Sequence, residues 1–272
     1  MCIRDSSRPM RVYYEVARRA FQRELVYRTR NLAGLFTNAC FGYLRAVPLL
    51  AAFQGRPEIA GYDLDEALTW NWVVQALIMV IALWGWWDVE ATVRSGDVVS
   101  DLARPISFLG YWLARDYGRA LYYVLFRCLP ILLVGQLLFG LRWPQRAETW
   151  LLLALSLILA VAISFAFRFM LNLSAFWTTD ARGLGSLALI ACTFFSGFLI
   201  PISFFPSGLR AVTALLPFAG MIQTPADVFL ERLNGAALAG ALLLQAFWAL
   251  ALLGAAQGLI ALATRRVVVQ GG

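Results

Sequence analysis

The sequence predicts an all-α membrane protein: six transmembrane helices, an N-terminal amphipathic helix at the membrane interface, and a re-entrant hairpin between helices five and six. Three observations carry this prediction. The 272-residue chain is 61% hydrophobic and 14% charged, whereas soluble domains are about 45–50% apolar and about 25% charged. Its apolar residues gather into runs at about 31–53, 67–87, 121–141, 149–177, 185–204 and 235–263, and a spanning helix needs about 20 such residues. The stretch 183–227 starts as a span and then fails as one. Pro201 and Pro206 interrupt it, because proline lacks the N–H and clashes with the preceding turn. The apolar run 209–216 is too short to cross, and Pro217 and Pro225 close it. Backbone of that kind is tolerated at membrane depth only where protein or a water-filled cavity covers it.

In chain order, residues 1–9 read as an extraneous leader, without the apolar core of a signal peptide. Residues 10–30 form an amphipathic pattern. Val12, Tyr13, Val16, Ala17, Ala20 and Phe21 share one helical arc, and Arg11, Glu15, Arg18, Arg19 and Gln22 share the other. A basic face suits an anionic membrane surface, and an ordinary packed helix is the alternative. Residues 31–272 form the six-span transmembrane domain, with an inner loop at 88–116 and an outer re-entrant hairpin at 205–232. Tryptophans 70, 72, 84, 86, 87, 143, 150 and 177 gather near the span ends, where interfacial aromatics belong.

Arginine counts set the orientation. With the N-terminus inside, the inner segments hold 15 arginines and the outer loops hold 5. The positive-inside rule therefore places both termini in the cytoplasm, and a plasma membrane, a bacterial inner membrane, is the expected location. It also places the proline-broken hairpin outside.

Within the inner loop, Ser95 or Asp97 is available to cap a short helix that Pro105 stops. Val98, Val99 and Leu102 make a small apolar face flanked by Asp97, Asp101 and Arg104. Such a helix is either a docking knob for a soluble partner or a plain interfacial connector.

The residue inventory restricts the chemistry. All 23 basic residues are arginine, and there is no lysine and no histidine. A GxxxxGK[ST] phosphate loop is therefore excluded, as is any Ser–His or Cys–His pair. No cysteine spacing matches a metal site or redox pair. All sixteen acidic residues fall outside the predicted spans, which weighs against a proton-driven carrier. The predicted spans do contain Arg45, Arg127 and Arg168. Each costs about 2.5–3.5 kcal/mol at a helix centre and, on this reading, has no in-span carboxylate as partner. They either snorkel to an interface or line a pathway, and snorkelling suits Arg168 best.

These features converge on a resemblance. RSGDVVSDLARP at 94–105, FFSGFLIPISFFPSGLRAVTALLPF at 194–218 and GYDLDEALTW at 61–70 resemble the membrane subunit of type-2 ATP-binding-cassette transporters, in the six-span branch. The resemblance implies a permease that binds no cofactor itself and is worked by a cytoplasmic ATPase, the subunit that uses ATP and Mg. It implies a second permease copy or a related permease as partner, in the lipid bilayer, and no nucleic acid. Arg94, Gly96, Asp97, Val98, Asp101, Leu102, Arg104 and Pro105 would form the ATPase-coupling loop. Pro201, Phe204, Phe205, Pro206, Leu216, Pro217 and Phe218 would form the outer hairpin. The expected cargo is lipophilic or drug-like. A non-transporting scaffold or assembly factor has the same hydropathy, and an ion-coupled carrier is the third alternative.

Overall fold

The computed structural model describes residues 8–83, 87–178 and 182–266. Most of the predicted leader, Trp84 and Trp86 lie outside the described residues. Among those described, every named element is helical, and the only bridge is the short Ile59–Tyr62 pairing.

Helix α1 (Arg8–Val26) is followed directly by α2 (Arg28–Ala52). After a loop comes α3 (Leu64–Ile81), started by the Asp63 side chain accepting from the Glu66 N–H. Two short helices follow, α4 (Asp88–Ser95) and α5 (Val98–Leu102). Helix α6 (Phe108–Tyr123) runs through a π-helical turn (Val124–Cys128) into α7 (Leu129–Phe139). Helix α8 (Ala147–Leu173) returns. Then come α9 (Arg182–Phe195), α10 (Ser207–Leu215), α11 (Gln223–Phe229) and α12 (Gly235–Ala263).

Five helical segments are long and apolar enough to cross a membrane: Thr29–Ala52, Leu64–Ile81, Phe108–Phe139, Ala147–Phe176 and Gly235–Ala263. Helix α9 is shorter. Its 14 residues reach about 21 Å at 1.5 Å per residue, against a hydrocarbon core of about 30 Å. The chain is an all-helical, multi-pass membrane protein.

Helix α3 is the hub. Almost all of it is buried, including Trp70, Trp72, Asn71 and Gln75. An apolar helix with no polar face belongs inside a bundle rather than on its rim, and α3 packs against α2, α6, α7, α8 and α11. Asn71 donates from Nδ2 to the Gly42 carbonyl, at 2.9 Å.

Two boundaries differ from the sequence reading. The third membrane helix begins at Phe108, not near residue 121, so the inner connection is 88–107 and not 88–116. Asp116 and Arg119, which argued for a loop, form an ion pair at 2.8 Å within one turn. Arg119 also donates to the carbonyls of Met79 and Val80 at the end of α3, at 2.8 and 2.9 Å. The fifth apolar helix ends at Phe195, before Pro201. Gly197 ends it, with φ at 81°, a left-handed conformation that glycine adopts freely. Any Cβ there would also collide with the Gln223 side chain.

Helix α1 lies along α6. The apolar arc read from the sequence supplies the contact: Tyr13 sits at Gly110, Ala17 at Gly118, and Phe21 meets Tyr122 edge-on at 5.7 Å. Gly118 allows the closest approach, since a side chain there would occupy the place of the Ala17 backbone.

Candidate functional site

The inner connection is seated rather than dangling. Val89 of α4 and Val98 of α5 are buried in a separate apolar cluster with Phe108, Trp112, Phe165, Phe169, Leu173, Ala256 and Ile260. Helices α6, α8 and α12 thus share one small core with α4 and α5. Polar contacts add to it. The Glu90 N–H donates to Asn172 Oδ1 at 3.0 Å, and Arg115 pairs with Asp88 at 2.6 Å.

The eight residues of the predicted coupling loop take different roles. Gly96 closes α4 with φ at 83°. Arg94 is exposed and pairs with Glu90 at 3.4 Å. Val98 turns inward, so the apolar face predicted for Val98, Val99 and Leu102 is divided. Val98 is 3% exposed, Val99 is 40% exposed, and Leu102 is half-buried against the small core. Asp101 is buried and paired with Arg104 at 2.8 Å, and the Arg104 guanidinium lies 4.5 Å above the Tyr111 ring. Pro105 and Asp97 are exposed. Neither predicted cap closes α5. Ser95 Oγ donates to Asp97 Oδ2 at 2.7 Å instead, which occupies both side chains. The outward surface is therefore Asp97, Val99, Ser100, Arg104 and Pro105.

The three arginines of the predicted spans have three different environments, and none contacts another. Arg168 does not snorkel. It is 7% exposed and its Nη2 meets Asp116 Oδ2 at 2.8 Å, while its Nε donates to Ser164 Oγ at 3.2 Å. The expectation of no in-span carboxylate fails because Asp116 lies inside the longer α6. Arg168 also lines a cavity of about 260 Å³ with Trp87, Asn172, Ser186 and Cys192. Arg45 donates from Nη2 to the Phe198 and Leu199 carbonyls, at 2.5 and 3.2 Å, and from Nη1 to Gln75 Oε1 at 3.3 Å. Those two carbonyls lie just past the end of α9, where a cation is favourably placed. Arg127 sits in the π-helical turn, 4% exposed, against Gly34 of α2 and 5.6 Å from the Tyr123 ring. It makes no ion pair among the described residues. Single π-turns inside α-helices recur at functional positions.

The segment predicted as an outer hairpin is a turn, α10, a second turn and α11. Pro201 is buried and extended, and Ile202–Phe204 forms one 3-10 turn. Pro206 precedes α10, and Leu216 and Pro217 end it. Aromatic contacts fasten it. Phe205 stacks on Phe194 at 5.0 Å, Phe218 stacks on Phe195 at 6.2 Å and meets Phe167 edge-on at 5.3 Å, and Phe204 meets Tyr62 edge-on at 5.8 Å.

A polar clasp at this end was not singled out in the sequence. The Gln223 N–H donates to the Ser196 carbonyl at 3.0 Å, and its Oε1 accepts from the Ile202 N–H at 3.1 Å. Its Nε2 donates to Asp227 Oδ1 at 2.9 Å. Tyr62 donates to the same carboxylate oxygen at 3.3 Å, and Arg232 stacks over the Tyr62 ring at 3.7 Å. Burial pushes the Asp227 carboxyl up to about 6, although the Gln223 hydrogen bond, the Arg232 charge and the Tyr62 hydrogen bond pull the other way. Burial, together with the Asp227 charge, also raises the Tyr62 phenol. Tyr62, Arg210, Gln223, Asp227, Gln245 and Trp248 border a cavity of about 390 Å³. The one visible signal was Asp227 closing the proline-broken stretch, a carboxylate beside apolar residues.

The family described as ABC-2 family transporter protein matches residues 43–271. No curated protein and no solved structure matches the chain. The matched region runs from the second half of α2 through α12 and includes α4 and α5, the buried arginines and the Gln223 clasp, so the chain belongs to the ABC-2 transporter family as a multi-pass membrane permease.

Proposed function

We propose that this chain is the membrane subunit of an ABC exporter, working as a pair with a second copy or a related permease and driven by a separate cytoplasmic ATPase that uses ATP and Mg. Helix α9 and the turn after it complete a sixth crossing. The 205–232 segment lies on the outer side as a re-entrant closure. Helix α1 lies at the inner interface, and both termini face the cytoplasm of a bacterial inner membrane. The cargo is lipophilic or drug-like.

One observation carries the reading: α4 and α5 are bolted to α6, α8 and α12 by their own apolar core, while Asp97, Val99 and Arg104 remain exposed. A push on such a surface moves three helices together rather than bending a loop. Arg127, in the π-turn without an ion pair, is the remaining candidate to line the path, because Arg45 and Arg168 have local partners. Gln223 and Asp227 support the outer closure.

Co-purification tests the coupling. The chain carrying a tag brings down an ATPase from its native membrane, and Asp97→Ala with Arg104→Ala reduces that yield at least tenfold while the chain stays monodisperse. Full ATPase recovery by the double variant, or ATPase-independent transport, contradicts the proposal.

A further inference from the structure

Four arginines converge on one cleft at the inner end of α6. Arg19 and Arg23 come from α1, Arg104 from the turn after α5, and Arg115 from α6. With Tyr111 they border a space of about 400 Å³ that no carboxylate lines. Two carboxylates stand behind it. Asp88 pairs with Arg115 at 2.6 Å and reaches Arg23 at 4.0 Å, and Asp101 pairs with Arg104 at 2.8 Å. Four guanidiniums against two carboxylates leave two positive charges facing the opening. Arg104 is held in place by stacking on Tyr111, and Arg115 by stacking at 4.6 Å on the buried Trp112. Two forks of the four are thus positioned before any ligand arrives.

We infer that this cleft binds a phosphate group, that of an anionic phospholipid headgroup from the inner leaflet. Planar guanidinium forks match phosphate oxygens bidentately, and basic pockets at the cytoplasmic ends of membrane helices sit at headgroup depth. The cleft opens between α1 and α6, at Tyr111 and Arg115, where the charged turn Arg115–Arg119 of α6 begins. A phosphate there bridges α1 to the Arg104 turn, so the stance of the inner connection depends on lipid charge. The inference rests on the inner-face placement proposed above, but not on an ATPase docking there.

The test is binding of fluorescent phosphatidylglycerol to the full chain in neutral detergent micelles, with phosphatidylcholine as the comparison. Phosphatidylglycerol binds more tightly. Arg19→Gln and Arg23→Gln each weaken it about fivefold, the worth of one basic residue at a charged membrane surface. Arg11→Gln and Arg18→Gln each remove one charge from the same helix outside the cleft and leave affinity within about twofold, since those charges are largely screened. Competition by millimolar inorganic phosphate assigns the cleft to a soluble phosphate; no competition assigns it to the lipid headgroup. Equal affinity for both lipids, or equal weakening by the two variant pairs, overturns the inference. No ATPase takes part, so failure here leaves the coupling proposal standing, and loss of coupling leaves this one standing.

Discussion

Arg168 shows how a buried charge is tolerated in this chain. An isolated guanidinium in a bundle carries a penalty of several kcal/mol, and removing one partner of a buried pair leaves that penalty uncompensated. Asp116 serves two guanidiniums, Arg119 through Oδ1 and Arg168 through Oδ2, each at 2.8 Å. Asp116→Leu alone is expected to destabilise the protein by about 3–5 kcal/mol. Asp116→Leu with Arg168→Met restores part of that loss, because the second change removes the stranded charge. Thermal unfolding of Asp116→Leu, Arg168→Met and the double variant in detergent checks this; additive losses contradict it. The sequence displayed both residues, yet their pairing was not legible. The partner of Arg168 lies 52 residues away, and a lone aspartate near an apolar run reads locally as the end of that run. The partners of Arg45 were not legible for a related reason: they are backbone carbonyls, which every residue possesses and no motif announces.

At the scale of elements, long uninterrupted apolar runs were readable and broken ones were not. Helices α8 and α12 fall within a few residues of their predicted limits, because nothing inside them competes with a continuous hydrogen-bond ladder. Helix α9 ends where Gly197 takes a left-handed φ, and the later prolines only shape the turns that follow. The outer clasp depends on Gln223 reaching Ser196, Ile202 and Asp227 at once, a convergence that exists only after folding. Its carboxylate supplies a pH dependence. Asp227 titrates near 6 in the folded protein, above its ordinary 3.8. The folded state therefore binds more protons than the unfolded state between those values. Stability from this group is fully present below about pH 4 and is lost as pH rises through about 6, by at most about 3 kcal/mol. Asp227→Asn is expected to flatten the change in unfolding midpoint between pH 4.5 and 7. An unchanged slope in that variant removes Asp227 from the account.

For the whole molecule, the hydropathy pattern was sufficient to establish a multi-pass helical bundle, and the motifs at 94–105 and 194–218 were sufficient to point to the ABC-2 family. The seating of α4 and α5 was not visible, because Val89 and Val98 find their apolar partners on α6, α8 and α12, far away in sequence. On the proposed coupling, that seating would carry load applied at Val99 into three helices. The most direct measurement is site-specific photocrosslinking from Val99 in native membranes, with adducts identified by mass spectrometry and the exposed Leu137 of α7 as the control position. The account predicts an adduct with an ATP-binding-cassette ATPase from Val99 and none from Leu137. Recovery of that ATPase with the chain but never as a Val99 adduct, or adducts of equal yield from both positions, would contradict it.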